Sequence, residues 1–152
     1  EQVVKSWVAN LATDVFPDDT KLMEAIAAGQ CDVGIVNTYY FGRLKKNQPA
    51  AALALFWPNQ KDRGVHVNVS GAGVTAHAKH RQAAVKFLEW LSSKKAQSMF
   101  ADENLEYPAN PKVKPAAMVA AWGKFKQDTV NVSKAGSLQV KAVMLMDRAG
   151  YK

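Results

Sequence analysis

The sequence predicts an α/β fold with a mixed sheet. Three observations point to it. Apolar residues recur at helical spacing along several stretches of the chain. Short apolar or alternating runs lie between those stretches. Clusters of Gly, Pro, Asn and Asp separate the two kinds of segment.

Taken in order, Val3, Val4, Trp7, Val8 and Leu11 share one face of a helix over 3–12. Pro17, Asp18, Asp19 and Thr20 read as a helix start, with acids at the positive end of the dipole. Leu22, Met23 and Ile26 then face inward, and Gly29 ends the helix as a C′ residue. Asp32–Val36 is a short strand. Thr38 can cap a helix running through Leu44 and Lys45. Ala51–Trp57 reads as a second strand, with a turn at Pro58, Asn59 and Gln60. Val65, Val67 and Val69 alternate with polar residues, a period-2 strand, and extended structure resumes over Val74–Ala76. A helix from about His80 places Ala84, Phe87, Leu88 and Leu91 on one face, and another spans Lys94–Ala101. Tyr107–Pro111 is a proline-bounded loop, followed by helices over Ala116–Phe125 and Ser137–Ala149. The helix, helix, strand, helix, strand, strand order fits an α/β fold. The chain opens on a helix, with none of the strand-led units that usually begin such a domain, and reads as a piece of something larger.

A length of 152 residues suffices for one domain with a substantial core. At 48% hydrophobic and 22% charged the composition is that of a globular chain. No apolar run reaches the length of a membrane span. Glu1–Val8 lacks the basic and long apolar regions of a signal peptide, though an exported protein looks the same once processed. The lone Cys31 excludes an internal disulfide and reads as a buried thiol. The net charge of +7 is spread over scattered lysines with no RNP, zinc-finger or helix-turn-helix signature. It reads as a solvated basic surface, and no nucleic-acid partner is expected.

The most specific chemistry lies where the strand Asp32–Val36 gives way to Asn37, Thr38, Tyr39 and Tyr40. Loops leaving the carboxyl ends of α/β strands are where ligands bind. Two adjacent phenols there offer hard oxygen donors, suited to a hard trivalent cation such as ferric iron. A free tyrosine has a pKa of roughly 10, so the metal must displace the proton. Phe41, Gly42, Arg43 and Leu44 follow, and Arg43 reads as a solvated helix arginine. His77 and His80 are close enough in sequence for a metal pair but fall among basic residues at a helix start. They read as exposed or capping, as His66 reads as an ordinary strand residue.

The segment Asn37–Leu44 resembles the tyrosine-dyad motif of periplasmic ferric-ion-binding proteins, the soluble receptors of ABC-type iron importers. Further stretches are similar to that family: Asn68–Val74, Ala84–Leu91 with Gln97, Glu106–Pro111, Ala121–Phe125 and Met146–Tyr151. The helix at 84–91 is shared broadly among solute receptors, whereas the dyad is specific. The resemblance covers nearly the whole chain. It implies the carboxyl-terminal half of a two-lobe, type II Venus-flytrap fold. By that analogy 1–69 belongs to the second lobe, 70–120 crosses to and packs on the first, and 121–152 returns.

The resemblance further implies that Tyr39 and Tyr40 bind Fe³⁺, with carbonate or phosphate as a synergistic anion. Asn37 is then either a plain turn residue or a donor to that anion. The implied partners are the N-terminal half of the same protein, which would carry the remaining iron ligands, and an inner-membrane ABC permease. The implied location is the periplasm, or the outer face of the cytoplasmic membrane as a lipoprotein. The intact protein would be a monomer. No motif of a hydrolase, P-loop, dinucleotide-binding or zinc enzyme is present, so no catalysis is expected. The rival reading is a receptor for a small organic or anionic solute, with the two rings stacking on the ligand.

Overall fold

The computed structural model describes residues 1–151. Among them the helices are α1 (Gln2–Ala9), α2 (Asp19–Ala27), α3 (Thr38–Asn47), α4 (Arg81–Leu91), α5 (Lys94–Asn104), α6 (Ala117–Ala120) and α7 (Ser133–Ala149). They form two compact units, one of Glu1–Ile35, Ala52–Val67 and Lys126–Lys152, the other of Val36–Ala51 and Asn68–Phe125. These units cut the chain at other points than 69 and 120. Lobe boundaries concern a whole two-lobe protein, and the last residue of 121–152 lies outside the described residues.

In the first unit α1 packs on α7. The Glu1 carboxylate joins them, meeting Lys5 at 3.0 Å and Arg148 at 3.1 Å. Its hydrogen bond with Lys5, and then that with Arg148, hold it below the usual carboxylate value. Helix α2 begins as its acids predict: the Asp18 side chain accepts a hydrogen bond from the Lys21 N–H at 2.8 Å. It ends at Gly29, whose φ of +76° permits the Schellman pair Gly29 N–H to Ile26 C=O and Gln30 N–H to Ala25 C=O. Met23 and Ala25 are buried, as is Ala149 of α7.

The mixed sheet is not seen among the described residues. Their one β-bridge joins Val65 to Gln127 in parallel, with Val65 N–H donating to Lys126 C=O and Asp128 N–H to Val65 C=O. Gly64 makes the approach possible. Its φ is +98°, and a Cβ there would lie 2.6 Å from the Gln127 carbonyl carbon. Gln60 clasps the same place, accepting from Lys126 N–H at 2.7 Å and donating to Lys126 C=O at 3.1 Å. The expected strands at 32–36, 51–57, 67–69 and 74–76 run without a ladder. A strand is held by a neighbour about 4.8 Å away, and these segments have none among the described residues. Their apolar side chains stay in the open: Val33 is 77%, Ile35 85% and Phe56 82% exposed.

In the second unit the buried apolar side chains are Phe41 and Leu44 of α3, Ala96 and Ala101 of α5, Leu105 just after it, and Val119 of α6. Helices α4 and α5 form a hairpin, with Ser93 capping α5 through the Ala96 N–H at 3.3 Å. The loop after α5 is tied back by Gln97, which accepts from Ala109 N–H at 2.7 Å, and by Asn110, which donates to Ser92 C=O at 2.9 Å. One expectation is corrected here. The helix read over 116–125 is a single turn, because the chain turns through Gly123 at φ +85°. Phe87 of α4, which shares a face with Ala84, Leu88 and Leu91, is 57% exposed and stacks on Trp90.

Candidate metal centre

The packing of α3 decides which of its side chains can meet a ligand. Phe41, Gly42 and Leu44 are buried. A Cβ on Gly42 would lie 2.8 Å from Leu105 Cδ1 and 3.1 Å from Trp122 Cζ2, so the helix seats backbone-close on those residues. Phe41 meets Trp122 edge-on at 5.8 Å, and Trp122 meets Tyr107 at 6.3 Å. With that side of the helix taken, Tyr39 and Tyr40 remain half-buried and Arg43 exposed.

The two phenol rings lie side by side, centroids 4.3 Å apart and planes tilted by 38°. The Arg43 guanidinium sits over both, 5.2 Å from the Tyr39 centroid and 5.8 Å from that of Tyr40. Both distances are within cation–π range. Arg43 is therefore solvated, as its sequence suggests, but not idle. Its i+4 and i+3 spacing from the tyrosines was the available signal.

Asn37 occupies the N-cap position of α3, one residue earlier than the expected cap at Thr38, and its side chain makes no capping hydrogen bond. Its Oδ1 instead accepts from Asn68 Nδ2 at 3.2 Å. Sequence reasoning gave Asn68 no part in the site. The two residues are 31 positions apart, and nothing local announces the pair.

His66, His77 and His80 are exposed. No group of three His, Cys, Asp or Glu side chains able to hold a metal occurs among the described residues. Cys31 is half-buried rather than buried, because the segment beside it pairs with no sheet. No helix among the described residues is long and apolar enough to cross a membrane.

A family model described as "Bacterial extracellular solute-binding protein" matches residues 2–127. The chain belongs to this family of solute-binding proteins. Within the family it is similar to members that handle iron. Iron uptake protein A1 of Synechocystis is 42% identical over 97% of this chain and 43% of its own length. A Trichodesmium structure in complex with iron and citrate superposes with a TM-score of 0.91 at 43% identity, over 97% of this chain and 49% of that one. The ferric binding protein of Campylobacter jejuni gives a TM-score of 0.92 at 34% identity, over 98% of this chain and 49% of that one. The chain thus spans about half the length of these relatives. The resemblance to ferric-ion-binding receptors and their type II binding-protein fold is borne out.

Proposed function

We propose that this chain is the carboxyl-terminal half of a periplasmic receptor that captures ferric iron and delivers it to an ABC-type importer. Tyr39 and Tyr40 bind Fe³⁺ as phenolates. The observation that carries this reading is the pair of rings 4.3 Å apart on the side of α3 that the core leaves uncovered. The names of the relatives, iron uptake and ferric binding, support it.

Two phenolates leave a trivalent ion with uncompensated charge, and a small anion, carbonate or phosphate, completes the shell. Asn37 donates to that anion at the start of α3, where helix termini favour negative charge. The remaining iron ligands come from the amino-terminal half. The lobes divide at 69 and 120, and the receptor works as a monomer. It acts in the periplasm or tethered to the outer face of the cytoplasmic membrane.

Metal analysis of the full-length protein, purified without added chelator, tests the proposal. Stoichiometric iron with visible colour is expected. An iron-free protein that instead retains an organic solute would contradict it and favour the solute-receptor reading.

A further inference from the structure

Among the described residues, two other than glycine hold a positive φ: Asn59 at +58° and Leu105 at +60°. Asparagine tolerates that region, whereas a bulky leucine in it is an outlier. Leu105 follows α5, at the kind of place that glycine usually fills. A residue keeps such a conformation only where its surroundings hold it there. Leu105 is 5% exposed, and its Cδ1 lies so near the backbone of α3 that a Cβ on Gly42 would be 2.8 Å from it. Trp122 closes on the same glycine, its Cζ2 and Cη2 3.1 and 3.2 Å from where that Cβ would be. The Trp122 ring in turn meets Phe41 at 5.8 Å and Tyr107 at 6.3 Å, edge-on to both.

We infer that Leu105 is a positioning residue: with Trp122 against the same glycine, it forms a seat that fixes how deep α3 lies and so where the phenol oxygens of Tyr39 and Tyr40 stand. The inference rests on the ferric reading above. Gly42 is two residues beyond Tyr40, so seat and dyad share one turn of helix, and a shift of the backbone at Gly42 carries both phenols with it. A methyl group at position 42 needs about 0.7 Å more room than Leu105 leaves, since 2.8 Å must open to the roughly 3.5 Å of ordinary carbon contact. Leu105 is confined by burial, and Trp122 by its ring neighbours. The leucine tip therefore yields part of that distance and α3 the rest. Metal–ligand distances tolerate only about 0.2 Å. A displacement that costs the helix little is thus large for a metal whose other ligands are not on α3.

Competition with citrate for Fe³⁺ in the full-length protein, read through the phenolate-to-iron absorption band, provides the test. Gly42→Ala should lower iron affinity by on the order of tenfold, the scale on which groups behind the ligands act, while the iron-free protein melts close to wild type. Leu105→Ala should lower both melting temperature and affinity. In the Gly42→Ala, Leu105→Ala double variant the new methyl fills space that the leucine tip has left, so affinity should recover above that of Gly42→Ala alone. Asp18→Ala, which removes the cap of α2, should lose stability with affinity intact. Wild-type affinity in Gly42→Ala, or a double variant whose loss is the sum of the two single losses, overturns the role. So does a fall in affinity in Asp18→Ala, which would make iron binding a reporter of stability alone. Absence of the band in the wild-type protein would instead overturn the ferric reading itself.

Discussion

Neighbouring residues on a helix point about 100° apart, so a surface turn cannot hide two adjacent rings in one core. Phe41 and Leu44 take the inward positions of α3, and Gly42 lets the backbone come close. The half-buried Tyr39 and Tyr40 and the exposed Arg43 are what remains, with cation–π contact between them. Replacing either tyrosine by Phe keeps the ring and removes the donor oxygen. Each single variant should therefore keep its fold and lose iron affinity by on the order of a hundredfold, at or beyond the upper end for lost outer-shell partners; competition with citrate measures it. A different tyrosine reports on packing. Burial pushes the Tyr107 phenol above its ordinary 10.0, against the rings of Trp122 and Phe125. Folding therefore favours its neutral form. The stability it contributes is complete below the ordinary value and is lost as pH rises through the raised one. In an alkaline absorbance titration, Tyr107→Phe should remove a late-ionising phenol; loss of an early one would contradict the burial argument.

At the scale of elements, local signals decided what was legible. The cap Asp18, the C′ glycine Gly29 and the apolar spacing of α2 lie within a few residues of one another, and the helix forms where they place it. Asp18→Ala should cost about 1 kcal/mol in urea denaturation. The strands were read from the same kind of pattern, yet a ladder depends on a partner that period-2 spacing does not supply. Only Val65 meets one among the described residues. The contact between the Tyr39 and Tyr40 rings was legible because the residues are adjacent. The Asn37–Asn68 hydrogen bond was not, because its ends are brought together by the fold. Gly64 shows the same limit: a lone glycine in the sequence is a backbone junction in the structure. Gly64→Ala faces about 1–2 kcal/mol for the left-handed conformation and about 1–3 for overpacking on the Gln127 backbone. It should destabilise by more than about 2 kcal/mol in the same denaturation experiment. Gly42→Ala should be milder, because it displaces the tip of Leu105 and regains about 1 kcal/mol of helix propensity.

Across the whole molecule, the apolar side chains left in the open on the ladderless segments, Val33, Ile35 and Phe56, fit a chain that matches about half the length of its relatives. The ferric proposal has a consequence at this scale. Two phenolates and an anion fill only part of an iron shell, so the chain alone should bind Fe³⁺ far more weakly than the full-length receptor. Binding should also release protons and weaken in acid, since each phenol must ionise to coordinate. The most direct measurement is a titration of the full-length protein with ferric citrate, followed through the phenolate-to-iron charge-transfer band, beside a Tyr39→Phe, Tyr40→Phe double variant. The wild-type protein should develop the band to a stoichiometric endpoint and the double variant should stay colourless. A band of undiminished intensity in the double variant would contradict the dyad as the ferric site.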